Sequence, residues 1–197
     1  MASSRLAEYL ANNTHIGIES ATGLAASLKT VSVPKGAFLL RQGEVCRNSF
    51  FVEEGLLRYY SIDDKGKEHI LQFAPESWIV SDRESVYFGN PSKYFIQALE
   101  DSRVISLDEA FVLDISRHDP AFTEANNRLL HNHIRHLQDR VNELLSFTAE
   151  ARYLRFIELY PSLLLRVPQS MVASYLGIAP ESLSRVRKEM AQRHHGS

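Results

Sequence analysis

Apolar residues recur along this chain at two different spacings, and the spacing changes twice. Up to residue 28 they fall at helical intervals, which predicts one or two short helices that break near Asn12. From Lys29 to about Leu107, short β-branched and aromatic runs alternate with Gly, Pro, Asn and Asp. Regularly spaced strands of this kind are typical of an antiparallel sandwich or barrel. Beyond Asp119 the helical spacing returns, so the pattern predicts an α+β protein.

The predicted strands are bounded by turn residues. They lie at Thr30–Val33, Phe38–Arg41, Ser49–Val52, Leu56–Ile62, Lys67–Phe73, Tyr94–Leu99 and Ser102–Leu107. The clearest turn is Asp64–Gly66, which separates two β-rich runs and predicts a hairpin. Between the fifth and sixth strands the pattern is less regular, and we expect a short helix around Asp82–Phe88.

A long helix is predicted from about Pro120 to Phe147, and it carries a narrow apolar stripe on a polar surface. The stripe residues recur every three or four positions: Leu130, Ile134, Leu137, Val141 and Leu144. A single helix packed on its own sheet would also bury one apolar face. The stripe is narrow for that purpose, and we expect it to be the seam of a homodimer.

The C-terminal stretch predicts two short helices joined by a tight turn. Gly177 suits the left-handed residue that ends the first helix, and Pro180 suits the first position of the second. Leu183 and Val186 then face inward at helical spacing, which leaves basic residues outside. This is the layout of a DNA-binding helix-turn-helix, although an ordinary helical pair shares it. The expected DNA contacts are Gln169, Ser170, Glu181, Ser182, Ser184, Arg185, Arg187 and Lys188.

The charge distribution agrees with this division. The chain has a net charge of −2, with 44% hydrophobic and 23% charged residues, which is ordinary for a globular protein. Residues 1–119 hold 12 basic and 17 acidic residues, whereas residues 120–197 hold 10 and 7. An acidic N-terminal part and a basic C-terminal part suit a sensor joined to a nucleic-acid-binding module. We therefore expect a sensor at 1–118, a dimerisation helix at 119–148 and a DNA-binding domain at 149–197.

Other kinds of site find little support in the residues. No apolar run reaches membrane-spanning length and no secretory core is present, so we expect a cytoplasmic protein. The chain has a single cysteine, Cys46, which excludes an internal disulfide and a four-cysteine iron–sulfur cluster. Arg47 stands next to it and would lower the pKa of a redox-sensing thiol. We interpret Cys46 instead as an ordinary surface residue. His133 and His136 share a helix face, but we expect solvated histidines.

We expect no catalytic residues, metal or cofactor. A small β-barrel is also a common scaffold for metal enzymes of the cupin type, which is the alternative from a different class. Such a site needs two or three histidines and a carboxylate on barrel strands, and the predicted barrel offers only His69.

Two motifs resemble the Crp/Fnr family of bacterial transcription regulators, and the likeness covers essentially the whole chain. They are Lys35, Gly36, Leu39, Gln42, Gly43 and Glu44, followed by Phe50, Phe51, Val52, Gly55 and Arg58. The resemblance implies a cyclic-nucleotide-binding-like β-roll (a jelly roll), a dimer helix and a winged-helix-like C-terminal domain whose wing is absent or truncated here. It also implies double-stranded DNA and RNA polymerase as partners.

The segment Ile178–Arg185 looks like the family's recognition-helix pattern, and Glu181 and Arg185 match its base-reading positions. Pro180 stands where the family often has an arginine, so one expected contact is missing. The stretches Trp78–Asp82 and Ala98–Asp101 look most like a Bacteroidetes-type subgroup.

The resemblance fails at the cassette that holds a cyclic nucleotide. Family members that bind one have Gly-Glu for the ribose and Arg-Ser or Arg-Thr for the phosphate, and neither pair stands in Ile79–Asp82 or Pro91–Phe95. A buried phosphate without a cation is costly, so we expect no response to cyclic AMP or cyclic GMP. A cyclic-nucleotide-responsive regulator remains the alternative. The effector is unidentified, and its candidate pocket residues are Trp78, Ser81, Asp82 and Lys93.

Overall fold

The computed structural model describes residues 4–13, 15–108, 112–113, 116 and 120–195. The helices of these residues are α1 (Arg5–Asn13), α2 (Ile18–Ser27), α3 (Arg83–Phe88), α4 (Pro120–Ser146), α5 (Ala149–Leu159), α6 (Gln169–Leu176) and α7 (Pro180–His195), with a 3-10 turn at Leu163–Leu165. The strands are β1 (Lys29–Val33), β2 (Phe38–Leu40), β3 (Asn48–Glu54), β4 (Leu57–Ile62), β5 (Glu68–Ala74), β6 (Ile79–Val80), β7 (Phe95–Ala98) and β8 (Ser102–Asp108).

The strands form two four-stranded sheets, in the orders β1-β8-β3-β6 and β2-β7-β4-β5. Their pairs run antiparallel, for example β1 with β8 and β4 with β7. Side chains from both sheets meet in one buried core: Val33, Leu40, Phe50, Val52, Leu57, Val80, Ile96, Ala98 and Val104. The expected antiparallel β-roll is therefore confirmed.

Strand β3 is buried on both faces. Phe50 and Val52 point into the core between the sheets, whereas Phe51 belongs to a second core with helices α1 and α2. Period-two alternation explains this division, because successive side chains of a strand point to opposite faces. The Glu53 carboxylate is buried and accepts the main-chain N–H of Arg5 (3.2 Å) and of Leu6 (3.1 Å). It thereby caps the first turn of α1.

Strand β6 was absent from the sequence-based expectation. It is only two residues long, Ile79–Val80, and it pairs with Phe50 and Phe51 of β3. A two-residue strand shows no alternation from which a sequence pattern could be recognised.

Cys46 corrects an expectation. Its side chain is buried, not on the surface, and its thiol donates to the carbonyl of Asn48 (3.2 Å). Burial raises the pKa of the Cys46 thiol, which is the opposite of the lowering by Arg47 that the redox-sensor alternative requires. The thiol is therefore protonated near neutral pH.

The chain divides into two compact units. One comprises Met1–Ile62 and Leu71–His133, and the other comprises Asp63–Ile70 and Ile134–Ser197. The boundary between the two units falls within the long helix, between His133 and Ile134. The three-part division expected from the sequence stays a prediction. Among the described residues, no helix is both long and apolar enough to cross a bilayer.

The second unit has a core of its own. Its helices bury aromatic and aliphatic side chains at Tyr153, Phe156, Tyr160, Leu163, Val172, Tyr175, Leu176, Leu183 and Val186. The Phe156 ring lies 5.3 Å from both Tyr160 and Tyr175, measured between ring centroids. Thr148 caps α5 by accepting the N–H of Ala151 (3.2 Å). Packing of these aromatic side chains thus holds α5 against α6.

Candidate nucleic-acid interface

The turn between α6 and α7 follows from a single glycine. Gly177 lies in the left-handed region (φ 67°), and its N–H donates to the carbonyls of Ala173 and Ser174. Ile178 donates to the Ala173 carbonyl as well, at 3.1 Å. This closes the helix in the Schellman manner, and α7 then begins at Pro180, where a missing N–H costs nothing. The expected helix-turn-helix geometry is present.

Helix α7 has one buried and one exposed face. Leu183 (1% exposed) and Val186 (8%) anchor it, while Ser182 is half-buried. The other expected contact residues on this helix are all exposed: Glu181, Ser184, Arg185, Arg187 and Lys188. Glu181 stands in the first turn, where a carboxylate suits the helix dipole. The exposed face carries a cationic surface with hydroxyls.

At the start of α6 the two residues expected to contact DNA differ in their exposure to solvent. Ser170 is exposed, but Gln169 is half-buried and its side-chain oxygen is inaccessible to solvent. Further along α6, Ser174 faces the hairpin turn Asp63–Ile70. Its hydroxyl donates to the Glu68 carbonyl (2.9 Å) and accepts the N–H of Ile70 (3.1 Å). Ser174 therefore joins α6 to the end of the hairpin, a role that the sequence pattern did not suggest.

Two arginines near the turn were also missed. Arg140 of α4 is half-buried, donates to the Tyr175 carbonyl and lies over the Tyr175 ring. Arg152 of α5 donates to the Leu176 carbonyl at 2.6 Å. The sequence shows that Arg140 lies three positions after Leu137, beside the apolar stripe. An arginine at such a position is ordinarily solvent-exposed, so the sequence gave no reason to expect its contact with Tyr175.

Near its C-terminal end, helix α7 also contacts α5. Arg193 forms an ion pair with Glu150 of α5, with 2.8 Å between Nη2 and Oε2. Both side chains are at least one-third exposed, so this pair stabilises the unit only weakly.

The apolar stripe of α4 is exposed over most of its length. The exposed fraction is 49% at Ile134 and Leu137, 55% at Val141 and 41% at Leu144, while Leu130 is half-buried. Leu145, beside the stripe, is 82% exposed. Large side chains at this spacing, uncovered in a single chain, fit a helix-to-helix contact.

The expected effector residues occupy different environments. Asp82 is buried and caps α3 by accepting the N–H of Ser85 (3.2 Å). Trp78 is half-buried against the core between the sheets, and Ser81 is half-buried too. Lys93 is exposed. Burial raises the pKa of Tyr59, and the negative charge of Asp82 adds to that shift. The Tyr59 phenol is therefore protonated near neutral pH.

Comparison with known proteins identifies the β-roll and finds relatives of most of the chain. Residues 30–119 match the model of the cyclic nucleotide-binding domain. An anaerobic regulatory protein from Pasteurella multocida is 26% identical over 165 residues, which are 78% of this chain and 60% of that protein. The transcriptional activator protein Anr from Pseudomonas aeruginosa is 29% identical over 167 residues, 77% of this chain and 66% of that protein. Residues 30–119 therefore belong to the cyclic nucleotide-binding domain family, and the relatives that match most of the chain support a Crp/Fnr-type regulator.

Solved structures agree with this fold. The structure of FixK2 from Bradyrhizobium japonicum has a TM-score of 0.73 at 18% identity, covering 85% of this chain and 86% of that one. The catabolite activator protein of Thermus thermophilus has a TM-score of 0.57 at 20% identity, covering 91% and 85%. The chain spans about three-fifths to two-thirds of the length of the curated relatives it matches.

The comparisons confirm the resemblance stated from the sequence, while the Bacteroidetes-type subgroup stays a prediction. The histidines of α4 need a correction: His133 and His136 are half-buried rather than fully solvated. Among the described residues, no group of three or more His, Cys, Asp or Glu is placed to hold a metal ion.

Proposed function

We propose that this protein is a homodimeric, DNA-binding transcription regulator of the Crp/Fnr family. Helix α7 would lie in the major groove with its exposed face toward the bases. The observation that carries the proposal is the two-sided α7: Leu183 and Val186 are buried, while Arg185, Arg187 and Lys188 are exposed. A structural helical pair gives no reason to cluster three exposed cations on this helix. The relatives reported above are named as regulatory proteins or activators, which adds support.

The partners follow from the same proposal. Two copies joined along the seam of α4 would present two α7 helices, so the operator would be a pseudo-palindrome with half-sites about one helical turn apart. RNA polymerase would be the partner through which regulation acts. The proposal includes no catalytic activity, and it places the protein in the cytoplasm, with the chromosome.

Arg185 is the residue that we expect to read sequence. Its guanidinium would donate two hydrogen bonds to a guanine edge, and Glu181 would accept from a cytosine amino group or orient Arg185. Arg185→Ala should cost about 1–3 kcal/mol on the selected operator and relax specificity at one base pair. Selection of a binding site from random DNA, followed by fluorescence anisotropy, measures both quantities.

Lys188→Ala is the matched control, because it removes one exposed cation from the same helix. We expect it to weaken binding to operator and random DNA alike and to reduce the salt slope by about one. Equal losses on operator and random DNA for Arg185→Ala would mean that Arg185 contacts phosphate instead. Failure of the wild-type chain to select any sequence would refute the proposed function.

The proposal also includes insensitivity to cyclic AMP and cyclic GMP. A cyclic nucleotide brings a negative charge into the roll, where the Asp82 carboxyl group is buried and Lys93, the candidate cation, is exposed. An unpaired buried charge is costly. Isothermal titration at millimolar nucleotide should therefore show no saturable binding.

The match to the cyclic nucleotide-binding domain supports the second candidate, a cyclic-nucleotide-responsive regulator. A dissociation constant below about 100 μM would establish it. In that case Lys93→Ala tests whether Lys93 is the substitute cation. The matched control is Lys35→Ala, an exposed lysine next to Gly36 in the β1–β2 turn.

A further inference from the structure

The C-terminal end of α6 has main-chain carbonyls that require partners. The last four carbonyls of an α-helix find no N–H within the helix. Here those of Ala173 and Ser174 accept the N–H groups of Gly177 and Ile178, as the Schellman geometry provides. Two carbonyls, those of Tyr175 and Leu176, remain.

Each of these two carbonyls accepts from an arginine of another helix. Arg140 of α4 donates from Nη2 to the Tyr175 carbonyl, and its guanidinium carbon lies 3.9 Å from the Tyr175 ring centroid. Arg152 of α5 donates from Nη1 to the Leu176 carbonyl at 2.6 Å. Both cations stand at the negative end of the helix dipole, and hydrogen bonds from charged donors are the stronger kind. The end of α6 is thus capped from two sides.

The turn itself fits closely between the same two helices. A Cβ added at Gly177 would lie 3.3 Å from Cδ2 of Leu144 and 3.5 Å from Nη1 of Arg152. Leu144 belongs to the apolar stripe of α4, and Arg140 precedes another stripe residue, Val141. The contact therefore links the proposed dimer helix to the turn that begins α7.

We propose that Arg140 and Arg152 are positioning residues for DNA recognition. They fix the start of α7 relative to α4, and in a dimer this sets the separation of the two α7 helices. The inference rests on the proposed function. It differs from a purely stabilising role because it makes the spacing of the operator half-sites depend on two residues that do not touch DNA.

The test uses the full chain and three variants of Arg152 and Arg140. Arg152→Met removes the donor at similar length, Arg152→Lys restores a cationic donor, and Arg140→Met removes the second donor. Arg155→Met is the matched control: it lies three positions along α5, removes the same charge, and contacts the carboxylates of Glu143 and Glu158 instead of α6. Binding is measured on the selected operator and on operators with one base pair added to or removed from the spacer, over a salt series.

We expect Arg152→Met and Arg140→Met to lose about tenfold in affinity for the best-spaced operator, as for the loss of one charged hydrogen bond. The affinities for the three spacer lengths should become more nearly equal. The salt dependence of binding should stay that of the wild type. Arg152→Lys should recover part of the spacing preference. Arg155→Met should keep the wild-type preference. The inference is overturned if Arg152→Met and Arg155→Met show the same spacing preference.

Hydrogen exchange at the amides of Gly177 to Leu183 is the second measurement. Faster exchange in Arg152→Met than in Arg155→Met is expected, and equal exchange overturns the inference even when a variant is too unstable for DNA binding. If the wild-type chain selects no DNA sequence, the proposed function fails. The exchange result then still decides whether the two arginines hold the turn.

Discussion

Buried polar side chains of the β-roll unit bond mainly to main-chain groups. Glu53 accepts two N–H groups at the start of α1, and Asp82 accepts one at the start of α3. Ser85 accepts the N–H of Cys46 (2.8 Å) and donates to the Asn90 carbonyl (2.6 Å). Each such cap stabilises a helix or turn by about 1 kcal/mol, and more where its loss would leave a buried group unpaired. Asp82 is therefore a structural residue whatever enters the roll.

A pH effect is expected at His136 of α4. Burial lowers the pKa of His136 from its ordinary value of 6.5. The unfolded chain then binds a proton more readily than the folded chain, so stability is lost as the pH falls through about 6.5. We expect His136→Gln to reduce the loss of unfolding free energy between about pH 8 and pH 5.5, measured by urea denaturation.

The control for His136 is His131→Gln, because His131 is exposed on the same helix. It removes an exposed imidazole from the same helix, so the difference between the two variants isolates the effect of burying His136. If His136→Gln retains the full pH dependence of the wild type, the effect belongs to other groups.

At the scale of elements, the sequence predicted those structures that depend on local chemistry. The Asp64–Gly66 turn, the left-handed Gly177 and Pro180 at the start of α7 are each specified by residues within a few positions of one another. Contacts between distant segments were not predictable in this way. Arg140 and Tyr175 are 35 positions apart, and Ser174 is 106 from Glu68, so no periodicity links them.

Two glycines of different geometry give a paired prediction. Gly177 has φ 67° and close neighbours, whereas Gly23 lies within α2, where an added Cβ would meet nothing within 4 Å. Gly177→Ala should lower the free energy of unfolding by about 1 kcal/mol or more, because the left-handed conformation strains alanine. Gly23→Ala should raise it by up to about 1 kcal/mol, because alanine favours the helix.

Thermal or urea denaturation of the two alanine variants measures these opposite shifts. Shifts of the same sign would contradict the argument. Gly177→Ala should also weaken binding to the operator, since the turn sets the start of α7, whereas Gly23→Ala should not.

At the scale of the molecule, the exposed stripe of α4 is a feature that a single chain leaves unexplained. Ile134, Leu137, Val141 and Leu144 are each between 41% and 55% exposed, on a helix whose remaining surface is largely polar. Burying this much apolar surface against a second copy stabilises association at about 25 cal/mol per Å² before the entropic cost is subtracted. A two-fold axis along α4 would also place the two α7 helices symmetrically.

The dimer prediction uses a double substitution in the stripe. Leu137→Glu with Val141→Glu places like charges at the centre of the seam, where desolvation and repulsion both oppose association. We expect a dimer for the wild type and a monomer for this variant, measured by size exclusion with light scattering at micromolar concentration. Gln138→Glu, on an exposed neighbouring position of the same helix, is the control and should stay dimeric. A wild-type monomer, or a double variant that remains dimeric, would exclude the seam. Specific DNA binding should fall together with dimerisation, because each half-site alone provides only half of the contacts.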